Sequence, residues 1–341
     1  MSITHLNPWD IQETDFPAAG TAAEKLYFLL NYAILAPSAH NTQPWLFKIE
    51  DDTVELYADR TRALAVIDPD DRELTISCGA ALLHLRIALR HFGYAGTTAT
   101  FPDPDDPDLL ARIRLGNKRD ATREEHALFD AIRKRHTNRQ AFEKREVPET
   151  MLIALQEEAH AEGAWFYIVQ GEEERNAVAD LIVLGDGMQW ADKHFRRELA
   201  LWARPSRSRN QDGIPAYALS FGDLLSQASL RAGRTFRLGN GKAASDRQLA
   251  TGSPVLAVLG TDVDRTYDWL MAGQALARVL LYARSQGVWA SFLNQPIEVP
   301  DVRLMLHNMI ERVGFPQLLL RMGYGPEVPA TPRRSLSEVL L

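Results

Sequence analysis

The segment GAALLHLRIALRHFG at Gly79–Gly93 aligns without a gap on GQALARVLLYARSQG at Gly273–Gly287, with five of the fifteen positions identical. Both segments are apolar on nearly every face, which is typical of a helix buried on most of its surface. Each ends in glycine, the residue that often follows the last turn of a helix. The repeat predicts two similar domains packed face to face through these helices. The alternative is that buried helices resemble each other by composition alone.

The length of the chain also favours two domains. Its 341 residues exceed the ~100–200 residues common for one domain. We place the two halves at residues 1–130 and 131–341. Helices and strands follow each other in a similar order in both, which indicates an α+β fold with long helices at its centre.

Hydrophobic periodicity predicts the individual elements. In the first half we expect helices at 22–35, 71–92 and 123–134 and strands at 45–49, 53–57 and 111–115. In the second half we expect helices at 148–161, 172–190 and 273–286 and strands at 165–169, 255–260 and 318–322.

One stretch of the second half, at about 195–244, breaks this symmetry. It is rich in glycine and charge, a composition too polar for a core. A long insert in a compact domain is usually a lid or a disordered excursion. We interpret it as a lid.

Composition excludes several classes of partner. Lys and Arg number 38 against 45 Asp and Glu, a net charge of −7, which argues against nucleic acid or an anionic membrane as partner. The single cysteine, Cys78, excludes a disulfide framework and a cysteine-rich zinc site, and its apolar surroundings predict a buried, inert thiol. We find no signal peptide and no membrane span, so we expect a cytoplasmic protein.

Two polar motifs stand out from this background. The first is APSAHNTQPW at 36–45, a turn rich in hydrogen-bonding groups and poor in charge. The second is RHTNRQAF at 135–142, in which two arginines four residues apart flank a hydroxyl and could clamp a phosphate monoester. A second basic pair lies in the tail, in TPRR at 331–334.

These motifs, with the glycine-flanked helix and the tail TPRRSLSEVL at 331–340, resemble the nitroreductase superfamily of FMN proteins. The arrangement of two copies in one chain is similar to its Acg-type branch. The resemblance implies a nitroreductase-like fold in which the halves imitate a homodimer with FMN at its interface. It covers the chain from about residue 22 to the end and is weakest at 195–244.

The resemblance implies cofactor contacts at specific positions. Those for the phosphate and ribityl chain are Arg135, Thr137 and Arg139, with the tail pair Arg333 and Arg334. Those of the turn on the partner side are Pro37, Ser38, Asn41 and Gln43. Less secure matches are Ser245, Arg247 and Gln248 near the pyrimidine edge and Asn294 and Gln295 near flavin N5.

Only one complete site is expected. The first half has no counterpart of the arginine cluster, and the second has no counterpart of the turn. We therefore expect one FMN per chain and a monomer that acts as an internal pseudo-dimer.

No side chain is assigned as a catalytic acid or base, and no spacing indicates a metal site. His40 could protonate a substrate, but we interpret it as a hydrogen-bonded strut of the turn. His136 is interpreted as a structural or weak phosphate contact. For Glu298 we favour a cap of the helix that begins near Pro300 over a contact to substrate.

The function implied is that of an FMN-dependent oxidoreductase, which passes a hydride from NAD(P)H to a nitroaromatic, a quinone or a similar small acceptor. The alternative is a protein that stores, sequesters or senses FMN beneath a closed insert. A helical scaffold without a cofactor would require both motifs to be coincidental.

Overall fold

A computed structural model of the chain describes residues 8–205, 208–216 and 235–341, with side chains in the last range from residue 241 onward. The first half contains helices α1 (Ala22–Ala33), α2 (Arg72–His91) and α3 (Arg123–Ile132) and strands β1 (Trp45–Glu50), β2 (Thr53–Ala58), β3 (Tyr94–Thr100) and β4 (Leu109–Lys118). Its strands form an antiparallel sheet in the order β1-β2-β4-β3.

The second half repeats this topology with additional elements. In chain order these are α4 (Glu149–His160), β5 (Trp165–Ile168), α5 (Gly171–Ala191), α6 (Lys193–Trp202), β6 (Ala203–Arg204), β7 (Ile214–Pro215), α7 (Thr235–Gly252), β8 (Val255–Thr261), α8 (Thr266–Ser285), β9 (Trp289–Phe292), α9 (Gln295–Glu298), α10 (Pro300–Met309) and β10 (Phe315–Gly323). The main sheet has the order β5-β8-β10-β9. In both main sheets, therefore, the second strand in chain order lies beside the fourth. A long helix connects the second strand of each sheet to the third: α2 joins β2 to β3, and α8 joins β8 to β9.

The sequence predicts three strands in each half, whereas the main sheet of each half has four. In these sheets the missed strands are β3, which carries small and threonine side chains along a largely exposed sheet edge, and β9, which has only four residues. Neither shows the alternation of apolar and polar residues that marks a half-buried strand. The two-residue strands β6 and β7 form a separate small sheet and were not predicted either. The other predicted elements are confirmed, except that α8 begins at Thr266, seven residues before the predicted start.

The two long helices, α2 and α8, cross where two glycines meet. A Cβ on Gly79 would lie 2.2 Å from the carbonyl oxygen of Leu270, and a Cβ on Gly273 would lie 2.0 Å from that of Ile76. The contacts are reciprocal, because Leu270 precedes Gly273 by three residues as Ile76 precedes Gly79. The aligned glycines of the sequence repeat are thus the residues that bring the two backbones together.

The aligned glycines at the ends of the repeat, Gly93 and Gly287, each follow one of these helices. Both have φ of +81°, the left-handed conformation that ends a helix. The sequence-based interpretation of these two glycines is confirmed.

The prediction that residues 195–244 are too polar for a core is wrong for the part that is described. Buried side chains of α6 and β7 form a hydrophobic cluster with residues of the first half and α5: Leu64, Ile67, Trp190, Phe195, Leu199, Ala200, Ala203 and Ile214. Because α6 is strongly amphipathic, its average composition conceals this apolar face.

The C-terminal tail crosses to the first half. Phe47 N donates to Val339 O at 2.7 Å, and Leu341 N donates to Phe47 O at 2.9 Å, which extends the first sheet beyond β1. The tail therefore packs with the opposite half from the one that precedes it in sequence. Among the described residues, no helix is long and apolar enough to span a bilayer.

The crossing yields a stability prediction. Gly79→Ala or Gly273→Ala should lower the free energy of unfolding by about 1–3 kcal/mol, because each added methyl group collides with backbone of the facing helix. Gly187→Ala in α5 is the matched control, since its Cβ would have no neighbour within 4 Å and alanine favours a helix. Urea denaturation of the three variants measures the difference. Equal stability of all three would contradict the backbone contact.

Candidate functional site

The turn after α1 has an unusual backbone. His40, Asn41 and Gln43 have φ of 46°, 55° and 53°, in the left-handed region that few residues other than glycine adopt. Ser38 supports the turn, since its Oγ accepts from Gln43 N at 2.9 Å. Such a conformation persists only where surrounding contacts hold it, and it often marks a functional site.

Two side chains of the turn hold distant parts of the chain. Asn41 Nδ2 donates to Gly213 O at 3.0 Å and to Pro332 O at 3.2 Å. Gln43 Nε2 donates to Gln211 O at 2.8 Å, and Gln43 Oε1 accepts from Arg334 N at 2.8 Å. The turn thereby binds both the insert and the C-terminal tail.

Cys78, on α2, contacts the same turn. The thiol is fully buried, and its Sγ lies 3.2 Å from Pro44 O, which it can reach as a donor. Burial raises the pKa of this thiol. The prediction that this cysteine is buried is confirmed, and the raised pKa is consistent with an inert thiol.

Arg135 and Arg333 meet under the start of the turn. The Nη2 atoms of both donate to Leu35 O, each at 3.3 Å. Arg333 Nη1 also donates to Asn41 Oδ1 at 3.0 Å. Thr137 forms a parallel bridge with Ala290, which extends the second sheet beyond β9 and fixes this segment. The tail and the arginine segment thus place two guanidinium groups side by side.

Arg139 and Arg321 form the next part of the same surface. Arg321, on β10, is 1% exposed and donates to Asn138 O at 3.2 Å and Gln140 O at 2.9 Å. The sequence analysis missed Arg321. The available signal was a lone arginine within the apolar run of β10, because a buried strand rarely contains an unpaired charge.

These guanidinium groups are shielded from solvent, and Asp246 is the carboxylate whose charge favours the charged forms of Arg139 and Arg321 from a distance. Burial lowers the pKa of Arg135 and of Arg321 to about 10, and it lowers the pKa of Arg139. Among the described residues, none of the three forms an ion pair, and the Nε atoms of Arg135 and Arg321 have no hydrogen-bond partner. This concentration of unused donors and positive charge suits an anion.

A cavity of 260 Å³ joins the turn to the arginine cluster. This volume is near the lower end of the ~300–1,000 Å³ typical of small-molecule sites. It brings together nine of the residues suggested by the resemblance: Pro37, Ser38, Asn41, Arg135, Thr137, Arg139, Asn294, Gln295 and Arg333.

The other five suggested residues do not line the cavity: Gln43, Ser245, Arg247, Gln248 and Arg334. Gln43 and Arg334 hold the turn and tail together. Arg247 pairs with Asp180 at 3.0 Å on the outside of α5, and Gln248 is exposed. The face of α7 that lines the cavity carries Lys242, Asp246 and Leu249 instead. Assigning the face required the helical phase of α7, which the sequence analysis did not predict.

Carboxyl groups line another part of the cavity wall. Asp186 on α5 is 2% exposed, and its Oδ1 accepts from Gln295 Nε2 at 3.2 Å. Gln295 Nε2 also donates to Asp246 Oδ2 at 2.8 Å, and Asp246 pairs with Lys242. Burial and the neighbouring Asp246 carboxylate raise the pKa of Asp186 to about 7.

Glu298 does not cap α10, so that interpretation was wrong. Val299 is the N-cap residue, and no side chain caps this end. Glu298 instead lines the cavity and accepts a hydrogen bond from Gln189 Nε2. Burial raises its pKa to about 7. Glu73 on α2 also lines the cavity, and burial together with Glu298 raises its pKa well above the ordinary value.

His40 is not a hydrogen-bonded strut, because its buried Nδ1 has no partner among the described residues. It lines the cavity, and burial followed by the charge of Arg139 lowers its pKa to about 4. His136 packs edge-on against Trp9, with ring centroids 4.9 Å apart, outside this cavity. Burial and the adjacent arginines lower the pKa of His136 to about 3.

Comparison with known proteins identifies the family. A Mycobacterium tuberculosis protein named "Putative NAD(P)H nitroreductase Rv3131" is 32% identical over 332 residues, which cover 96% of this chain and 93% of the relative. The chain belongs to the nitroreductase family. The Mycobacterium tuberculosis protein Acg, also named as an NAD(P)H nitroreductase, is 33% identical over 90% of this nitroreductase-family chain and 92% of its own.

Two further comparisons of this family member are with solved structures and with protein-family models. The solved structure of the FMN-dependent nitroreductase NfnB of Mycobacterium smegmatis in complex with NADPH aligns over 62% of this chain and 96% of its own, with 18% identity and a TM-score of 0.41. No protein-family model matches the chain. The membership rests on the sequence relatives alone.

The buried carboxyl group of Asp186 predicts a dependence of stability on pH. Because its pKa is raised in the folded chain, the folded state retains the proton that the unfolded state loses near pH ~4. The stabilisation that this retained proton gives to the folded state is complete below pH ~4 and declines as the pH rises to about 7. The wild type should therefore lose stability relative to Asp186→Asn over this range, by up to about 1.4 kcal/mol per pH unit.

Urea denaturation at several pH values between about 5 and 8 measures this difference. Asp180→Asn, on the exposed side of the same helix, should parallel the wild type at every pH. A constant difference between wild type and Asp186→Asn would contradict the raised pKa.

Proposed function

We propose that the chain is an FMN-dependent oxidoreductase that takes a hydride from NAD(P)H and passes it to a small acceptor such as a nitroaromatic or a quinone. The observation that carries the proposal is the cluster of guanidinium groups of Arg135, Arg139 and Arg321, which form no ion pair among the described residues, in a cavity beneath the strained turn. The names of the relatives support NAD(P)H as electron donor.

The residues present fit FMN. The donors of Arg135, Thr137 and Arg333 suit a phosphate monoester, because they place positive charge and a hydroxyl at one end of the cavity. Apolar side chains of Ile76 and Leu276 also line the cavity and offer a surface to a flat ring.

The remaining polar residues of the cavity suit the edge of such a ring. Lys242, Asp246, Asn294 and Gln295 supply both donors and acceptors at its wall. Arg139 and Lys242 add positive charge, which stabilises negative charge on a reduced ring. When bound, FMN would supply hydride transfer, and the protein would bind and orient it. We assign Lys242 and Asp246 to the role that the resemblance gave to Ser245, Arg247 and Gln248.

Both walls of the proposed site come from one chain. The turn belongs to the first half, whereas Arg135 and Arg139 follow that half, on a segment that Thr137 bridges to the second sheet. A second subunit is not needed to complete the cavity. We therefore propose one FMN per chain and a monomeric pseudo-dimer, with the boundary between halves near residue 130.

The experiment that tests the function is an absorbance titration of the purified protein with FMN, followed by anaerobic NADPH. Oxidised bound flavin that NADPH bleaches and a nitroaromatic or quinone restores would support the oxidoreductase. Bound flavin that NADPH does not bleach would favour storage or sequestration, and absence of binding would contradict both.

The storage alternative is favoured by one observation, the attachment of the insert to the turn. Asp212 pairs with Arg62 and, at 2.9 Å, with Arg204. Gly213 N donates to Asn41 O at 3.2 Å, and the following residue, Ile214, lines the cavity. Residues 211–215 thus lie against the site, which is the arrangement expected of a lid.

The assignment of Arg139 to the FMN site predicts the effect of Arg139→Ala. Loss of a charge-assisted contact of ~1.5–3 kcal/mol should weaken FMN binding by roughly 10- to 150-fold. Arg247→Ala is the matched control, because this side chain pairs with Asp180 outside the cavity. Isothermal titration with FMN measures both. Similar losses in the two variants would contradict the cavity as the FMN site.

The lid interpretation predicts faster exchange of FMN in Asp212→Asn. Removing the charge that holds Arg62 and Arg204 should raise the FMN dissociation rate by about 5- to 10-fold. Stopped-flow fluorescence of released FMN measures the rate, with the exposed Asp262→Asn as control. An unchanged rate in a folded variant would show that residues 211–215 do not restrict the site.

A further inference from the structure

Four carboxyl groups line the cavity away from the paired guanidinium groups of Arg135 and Arg333. They belong to α2, α5, α7 and α9 and are Glu73, Asp186, Asp246 and Glu298. Helix α5 reaches α9 closely, because a Cβ on Gly185 would lie 2.8 Å from the backbone of Gln295. The carboxyl groups of Asp186 and Glu298 are thus carried by two helices in backbone contact.

Two of the four carboxylates have a cationic partner. Asp246 pairs with Lys242, and the Glu73 carboxylate accepts from Arg72 Nη2 at 3.2 Å. Each of these two carboxylates already has a cation in direct contact. These two groups therefore leave little demand for a further cation.

The other two carboxylates form no ion pair among the described residues. Asp186 accepts from the amide of Gln295, and its Oδ2 is buried without a donor, with the Asp246 carboxyl group close by. Glu298 accepts from the amide of Gln189. An amide donor supplies a hydrogen bond but no compensating charge, so each carboxyl group must hold a proton or face a cation.

The surrounding charges leave this demand in place. Asp186 faces Asp246 and Lys242 of α7, and the repulsion from Asp246 has the larger effect on its pKa. Glu298 faces Glu73, Asp68 and Glu198, with Arg72 as the opposing cation. Burial raises the pKa of both Asp186 and Glu298 to about 7, because removal from water disfavours the charged form of a carboxyl group.

Apolar side chains line the same cavity. Trp190 and Phe195 contact each other with ring centroids 5.8 Å apart, and Leu199 lies one turn further along α6. These surfaces suit the hydrocarbon or aromatic body of a ligand. The combination of apolar walls and two unpaired carboxyl groups specifies an organic cation rather than a bare ion.

We propose that Asp186 and Glu298 form a subsite for a protonated amine or amidine carried by the electron acceptor. This inference rests on the proposed oxidoreductase function and adds the class of its substrate, a reducible aromatic compound with a cationic nitrogen. The amide donors of Gln189 and Gln295 orient the two carboxylates. A protonated nitrogen between them donates to the Oδ2 of Asp186 and replaces one of the protons that the two groups otherwise retain.

The test compares two probes that differ in one group, para-nitrobenzylamine and para-nitrobenzyl alcohol. FMN is first titrated into the protein, which examines the proposed function separately. The dissociation constant of each probe is then measured from the perturbation of the flavin spectrum without NADPH. The pH is chosen above about 7, where both carboxyl groups are ionised and the amine remains protonated.

The wild type should bind the amine at least ~10-fold more tightly than the alcohol. Asp186→Asn and Glu298→Gln should each bring this ratio towards one. Asp180→Asn, an exposed carboxylate on the same helix, should retain it and thereby control for the negative net charge of the chain.

A ratio of one in the FMN-loaded wild type would overturn the cation subsite and leave the FMN site standing. A high ratio that survives both substitutions would also overturn it, since the preference would then arise elsewhere. Failure of FMN to bind would overturn the subsite together with the proposed function.

Discussion

The close approach of α2 and α8 at Gly79 and Gly273 is the constraint on which the rest of the structure depends. Because neither glycine has a side chain, the backbones meet and the two halves share one interior. The two helices are equivalent, because each connects the second and third strands of its sheet and the two sheets have the same strand order. Their contact therefore sets the distance between the turn of the first half and the arginine-bearing β10 of the second. A wider crossing would separate the walls of the cavity, although each half would keep its own core.

The strained turn depends in the same way on contacts far away in sequence. Asn41 and Gln43 adopt left-handed backbone conformations, and their side chains hold the tail and the insert. Pairing of the tail with β1 in turn delivers Arg333 to Leu35 O, beside Arg135. The residues of the motif thus have different tasks. Some line the cavity, whereas Gln43 fixes the geometry that lets its neighbours do so.

Sequence patterns were sufficient where a feature repeats or is local. The buried helices, most strands and the segment around Arg135 follow from periodicity and spacing. The positions of Arg321, Lys242 and Asp246 do not, because their importance arises from tertiary contacts between β10, α7 and the arginine segment. The sequence analysis missed the apolar face of α6 for a related reason. The average composition of residues 195–244 is dominated by glycine and charged residues, which hides an amphipathic helix within it. Which side of α7 faces inward depends on helical phase, and composition does not report phase.

The charges of the cavity explain why these residues occur together. Buried guanidinium and carboxyl groups are each unfavourable without a partner, as the lowered pKa of Arg135 and the raised pKa of Asp186 indicate. Direct pairing of all of them would remove this cost and also close the cavity. The fold instead keeps Arg135 beside Arg333 and holds Asp186 with a neutral amide, so these groups of opposite charge are not paired with each other. An anion beside the arginines and a cation beside the carboxyl groups would each recover part of this cost on binding, so the burial that disfavours these charges also favours ligands of matching charge.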